Sequence, residues 1–95
     1  MSLDQLQAVV TIAEEGTLVA AARRLHISQP PLTRKVAALE DELGVRLFHR
    51  SGRGMALTPA GAAFVAEAVG VLDAVKRASE AARDAGVTLR RVTPQ

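Results

Sequence analysis

Only His26 and Ile27 separate an amphipathic stretch ending at Leu25 from a helix cap at Ser28, so two helices must meet across a turn of minimal length. The first of the pair is capped by Thr17 and places Leu18, Ala21, Ala22 and Leu25 at i, i+3, i+4 and i+7, with Arg23 and Arg24 off that stripe. A face built mostly of alanine lets the second helix approach closely. That second helix takes Pro30 and Pro31 in its first turn, where the missing amides have no intrahelical partner, and runs to a stop at Gly44. The segment therefore reads as helix, tight turn, helix.

Leu32, Val36, Leu39 and Leu43 make the buried stripe of the second helix and leave Gln29, Pro30, Thr33, Arg34 and Ala37 facing outward. Its charge changes sign along its length: Arg34 and Lys35 come early, whereas Glu40, Asp41 and Glu42 crowd the last turn, where the helix dipole disfavours each by about 0.3–1 kcal/mol. A helix tuned only for stability would reverse this order. The pattern fits an N-terminal half that meets phosphates and bases while the acidic end stays clear of them.

Upstream, Ser2 and Gln5 have capping-box spacing, Met1 and Leu6 occupy staple positions, and Leu3, Leu6, Val9, Val10 and Ala13 form an apolar stripe that ends at Gly16. Downstream, residues 45–50 and 55–58 read as two short strands joined by Ser51-Gly52-Arg53-Gly54, with Arg46, Arg50 and Arg53 giving the ribbon three cations and no acid. Arg53, held between glycines at the tip, is placed to reach into a narrow groove. Thr58 and Pro59 then start a last helix that the pattern carries to Asp84 or Ala85 before Gly86, about 40 Å at 1.5 Å per residue. Such a helix outruns a domain this small and should protrude. Phe64, Ala68, Val71, Val75, Ala78, Ala82 and Ala85 are spaced as a heptad seam, widened by Leu72, which predicts a homodimer through this helix, weakly held because of its alanines and Gly70. Residues 87–95 show no helical pattern and read as a flexible or truncated tail. The expected division is thus a helix-and-ribbon unit over 1–58, a linker helix over 59–86 and the tail over 87–95.

Composition narrows the function. The chain has 95 residues, no cysteine and two histidines, so disulfides, thiol nucleophiles and a zinc cage are excluded, and no cofactor or metal is expected. His26 and His49 have no evident catalytic partner, and the only glycine-rich loop joins two strands instead of opening a helix, so an enzyme is not expected. There is no long apolar run and no basic-then-apolar N-terminus, which predicts a soluble cytoplasmic protein with no membrane contact. The formal net charge of +2 conceals a bias: −3 over residues 1–16, +4 over 17–58, −1 over 59–86 and +2 over 87–95. The middle of the chain is the part suited to an anionic partner.

Residues 21–61, AARRLHISQPPLTRKVAALEDELGVRLFHRSGRGMALTPAG, resemble the DNA-binding domain of LysR-type transcriptional regulators almost without gaps, and the likeness extends from residue 3 to about 85. The resemblance implies a mainly α fold, a winged helix-turn-helix of three helices and a two-stranded wing followed by a long dimerisation helix. It places the helix after Ser28 in the major groove of double-stranded DNA, with Gln29 suited to adenine, Pro30 to a thymine methyl, Thr33 standing where serine is usual, and Arg34 at a guanine edge or the backbone. Ser28, Lys35, Arg50 and Arg53 would serve the backbone or the minor groove. His49, Val9 and Val19 depart from the usual residues and receive no DNA role. Full-length members carry a C-terminal effector-binding domain, absent here, so the resemblance implies an excised fragment or a truncated relative whose small-molecule switch lies elsewhere. A winged helix that serves a protein partner without DNA is the alternative; the basic 17–58 segment argues against it.

Overall fold

The computed structural model describes residues 1–92, with side-chain surroundings to Val87. The elements follow in the order α1 (Leu3–Glu15), α2 (Leu18–Leu25), α3 (Gln29–Leu43), β1 (Phe48–Ser51), β2 (Gly54–Leu57) and α4 (Pro59–Val92). The fold is a winged helix-turn-helix extended by one long helix. Local chemistry sets each start and stop. Ser2 and Gln5 form a complete capping box, each side chain accepting from the other residue's backbone N–H at 3.2 and 2.9 Å. Thr17 Oγ1 accepts from the Ala20 amide at 3.1 Å, and Gly16 and Gly44 close α1 and α3 in the left-handed conformation. The turn between α2 and α3 is carried by His26, whose φ of 57° is a left-handed C-cap, while the Ile27 amide reaches back to the Ala22 carbonyl at 3.0 Å.

The main core joins Ala8, Val9 and Ile12 of α1, Ala21 and Ala22 of α2, and Leu32, Val36 and Leu39 of α3 to Leu47 and Phe48 at the base of the wing. Burying an aliphatic or aromatic side chain of this size stabilises the fold by about 1.5–3 kcal/mol. A second cluster sets Leu6 and Val10 of α1 against Ala68 of α4, with Phe64, Val65 and Leu72 packed around it. The buried surface of α1 is wider than the stripe read from sequence, since Ala8, Thr11 and Ile12 are fully buried, whereas Leu3 and Met1 are exposed. α1 is covered on more than one side, so a single-stripe reading underestimates it. Leu43, expected inside, is also exposed, because α3 leaves the core after Leu39.

The wing is an antiparallel pair in the register Phe48↔Leu57, His49↔Ala56, Arg50↔Met55 and Ser51↔Gly54, with Gly52 and Arg53 at the turn. β1 begins at Phe48 and not at Val45 because the preceding backbone is engaged elsewhere. The Thr58 hydroxyl donates to the Arg46 carbonyl at 2.6 Å, and the Thr58 amide donates to the Leu47 carbonyl at 3.0 Å. β2 is fastened separately: the Met55 amide donates to the Gly16 carbonyl at 3.0 Å, and a Cβ on Gly54 would strike that same oxygen.

α4 runs through Gly86 to Val92, beyond the stop read at residues 84–86, so the tail expected from residue 87 is helical as far as Val92. A glycine costs about 1 kcal/mol in a helix interior but does not end it. Residues 93–95 lie outside the described residues. The 34 residues of α4 give the molecule its length, with extents of 59 × 24 × 19 Å. Among the described residues no helix is long and apolar enough to cross a membrane.

Two glycines of α4 separate close approach from mere permissiveness. A Cβ on Gly61 would collide with the Leu47 carbonyl oxygen, whereas one on Gly70 meets open space. Gly61→Ala should therefore destabilise the fold by about 2–3 kcal/mol, and Gly70→Ala should stabilise it by about 0.5–1 kcal/mol; urea unfolding of the two variants should shift in opposite directions.

Candidate nucleic-acid interface

The outward face of α3 begins with an unusual cap. Ser28 holds the N-cap position with extended backbone, yet its hydroxyl makes no capping hydrogen bond. The reason lies in the residues after it: a capping oxygen accepts from the amide of the second or third helical residue, and here those are Pro30 and Pro31, which have none. The Ser28 hydroxyl and the Gln29 amide are thus left at an exposed helix N-terminus, the end at which backbone dipoles favour an anion. Gln29, Pro30, Thr33 and Arg34 are all exposed on this helix, and Lys35 is half-buried.

Depressions lie on both flanks of α3. On one side a cavity of about 170 Å³ lies between α3 and the wing and brings Thr33 and Ala37 together with Arg46, Arg50 and Met55. On the other side Arg34 and Lys35 line a shallow groove with Ser2, Asp4 and Gln5 at the start of α1. Arg53 stands apart from both, exposed at the wing tip.

Hydrogen bonding sorts the cations. Arg24 donates to Glu14 at 2.7 Å and Glu15 at 3.2 Å, and these bonds, Glu14's first, raise its pKa above the usual arginine value. That cation is tied to α1. Arg34, Lys35, Arg50 and Arg53 form no hydrogen bond or ion pair among the described residues, and all belong to α3 or the wing. The four cations named from sequence thus remain unneutralised, as do Arg23 on α2 and Lys76 and Arg83 on α4 among the described residues.

The expected dimer seam is divided. Phe64, Ala68 and Leu72 pack against α1, with Ala68 only 2% exposed, so they serve the fold of one chain. Val71 and Val75 are 45% and 40% exposed, and Ala78, Ala82 and Ala85 are open as well. The free part of the seam starts at Val71.

Residues 3–62 match the family model for bacterial regulatory helix-turn-helix proteins of the lysR family. The chain belongs to this family. Its sequence is 60% identical over 73 residues to the HTH-type transcriptional regulator TfdS of Cupriavidus pinatubonensis (strain JMP 134 / LMG 1197), a match covering 77% of the chain and 25% of that relative. The LysR-family chain spans about a quarter of the length of such relatives. Among solved structures, the DNA-binding domain of CbnR in complex with DNA superposes with a TM-score of 0.83 at 46% identity, covering 90% of this chain and 99% of that one. The corresponding domain of BenM, bound to catB site 1 DNA, does so with a TM-score of 0.87 at 35% identity, covering 90% and 97%.

Within this LysR-family fold, Thr58 caps α4 as its position predicts, but sequence reasoning missed its bonds to the wing base and the roles of Glu40 and Gly61, which together join α3, the wing and α4. An acid in the last helical turn, where the dipole opposes it, signals that donors converge there, and this was the available clue for Glu40. The free Ser28 hydroxyl has a measurable consequence. Ser28→Ala should change stability by less than about 0.5 kcal/mol, whereas Thr17→Ala, which removes a real cap, should cost about 1 kcal/mol; thermal unfolding of both variants checks the contrast.

Proposed function

We propose that this domain binds double-stranded DNA sequence-specifically in transcription regulation, with α3 in the major groove and the wing tip at the minor groove, as a homodimer on an interrupted inverted repeat. The observation that carries this reading is the clustering of exposed or half-buried cations without partners on one surface: Arg34 and Lys35 on α3 stand with Arg50 and Arg53 of the wing, beside Thr33 and Gln29, while Arg24 is neutralised by α1 acids. The family membership and the DNA complexes of CbnR and BenM support it. Gln29, Pro30, Thr33 and Arg34 supply base recognition, and Ser28, Lys35, Arg50 and Arg53 meet phosphates or the minor groove. Residues 1–58 form the DNA-binding unit and residues 59–86 the dimerisation helix, working in the cytoplasm at the nucleoid. Any small-molecule effector acts through a further domain of the intact regulator.

Dimerisation uses the exposed seam of Val71, Val75, Ala78 and Ala82, with Phe64, Ala68 and Leu72 bracing it from within each chain. Joined in this way, two recognition helices reach major grooves about 34 Å apart, or a multiple of that spacing.

Duplexes selected from a random pool at two salt concentrations provide the test. Gln29→Ala should lose about 1–3 kcal/mol on the selected site and little on random DNA, whereas Arg53→Ala should weaken both and flatten the salt dependence. An unchanged specific-to-nonspecific ratio for Gln29→Ala would place base reading elsewhere. Val75→Asp should sediment as a monomer at concentrations where the parent is dimeric, while the fold of the single chain stays intact because Val75 lies outside both core clusters. A dimeric Val75→Asp would remove the seam.

A further inference from the structure

We infer that Glu40 is a positioning residue for the wing, setting where Arg50 and Arg53 stand relative to α3; the inference rests on the DNA-binding reading above. Glu40 lies in the last turn of α3 with its side chain only 12% exposed. One of its oxygens, Oε2, accepts from the Leu47 amide at 2.7 Å, the Phe48 amide at 3.4 Å and the Arg46 Nε at 3.4 Å. Three donors converging from Arg46, Leu47 and the first residue of β1 outweigh the unfavourable helix dipole, and hydrogen bonds to an ionised acceptor are about twice as strong as neutral ones. The carboxylate thereby ties the recognition helix directly to the strand that carries Arg50 and leads to the Arg53 turn.

The wing has other fastenings. Thr58 holds the Arg46 and Leu47 carbonyls, and Gly16 holds the Met55 amide. None of these involves α3. With Glu40 withdrawn, the hairpin stays attached to the body and Phe48 stays in the core, but the direct tie between α3 and β1 is gone. The width of the cavity that Thr33 shares with Arg50 then ceases to be set from the helix side.

Charge and reach can be separated experimentally. Glu40→Asp keeps the negative charge but shortens the side chain by one methylene, whereas Glu40→Gln removes the charge and keeps an acceptor oxygen at the same reach. Binding to the selected duplex, followed by fluorescence anisotropy, should weaken roughly three- to tenfold for Glu40→Asp and stay equal or tighten for Glu40→Gln. In the Glu40→Asp background, Arg53→Ala should cost less than half the fold-change that it costs in the parent, because the wing no longer presents Arg53 in place. A purely electrostatic role for Glu40 leaves Glu40→Asp at parental affinity, whatever Glu40→Gln gains, and a purely structural one lowers the unfolding midpoint while the Arg53→Ala cost stays the same in both backgrounds; either result overturns the proposal. Amide hydrogen exchange on folded Glu40→Gln is an independent measurement, since protected Leu47 and Phe48 amides support the tie and unprotected ones at parental DNA affinity overturn it. A parent chain that binds no duplex in a salt-sensitive manner would instead sink the DNA-binding reading itself.

Discussion

Burial of α1 on two sides is what makes the rest of the molecule one body. Ala8, Val9 and Ile12 enter the core shared with α2, α3 and the wing base, while Leu6 and Val10 meet Ala68 of α4. The reading helix and the long helix are fixed relative to one another chiefly through this intermediary. Because interiors are close-packed and deform little, any constraint placed on α4 by a second copy is transmitted through α1 to the pose of α3. With only Phe48 and Phe64 as aromatics, the core depends on short alanine contacts at Ala8, Ala21 and Ala22, which bring helix backbones near one another in place of bulk.

The wing is held differently, by polar contacts to parts of the chain distant in sequence. Phe48 is its one fully buried side chain, and beyond it the hairpin is fastened by Thr58, Gly16 and Glu40. Thr58 does two jobs at once, since its hydroxyl donates to the Arg46 carbonyl and accepts from the Gly61 amide at 3.0 Å as the cap of α4. The start of the long helix and the base of the wing are consequently one node, and Gly61 is the residue small enough to let them meet. A two-stranded hairpin alone is marginal in water; here tertiary hydrogen bonds to its ends supply the order that its own ladder lacks.

Much of the fold was legible because it is locally encoded. Ser2 with Gln5, Gly16, Thr17 and Gly44 each act through hydrogen bonds to neighbours within a few residues, and each sits where its spacing predicts. The outward residues of α3 were equally readable, since helical periodicity alone separates Leu32, Val36 and Leu39 from Gln29, Thr33 and Arg34. What escaped depends on distant partners. A heptad records that Phe64, Ala68, Val71, Leu72 and Val75 lie on adjoining faces, but not that α1 of the same chain occupies the earlier part, so Ala68 and Val71 looked alike and have opposite environments. The late start of β1 was hidden for the same reason: nothing near Arg46 announces that its carbonyl is claimed by Thr58. The end of α4 was misread on a different ground, because Gly86 was treated as a stop although glycine only weakens a helix that other residues support.

The acidic end of α3 shows how far internal pairing shapes the surface available to a partner. From sequence, Glu40, Asp41 and Glu42 explain themselves only as charges kept away from an anion. In the structure Glu40 is consumed by Arg46 and two amides, and Glu42 accepts from the N-terminal amine of Met1 at 2.6 Å. Arg24 with Glu14 and Glu15, and Arg77 with Asp73 one turn apart on α4, are further internal pairs. Such exposed pairs contribute little stability, about 0–1 kcal/mol each, yet they neutralise charge where it would otherwise dilute the field of the basic face. The cations left unpaired on α3 and the wing are therefore more concentrated than a net charge of +2 implies, and it is this residue of internal accounting, rather than composition, that gives the domain its polarity.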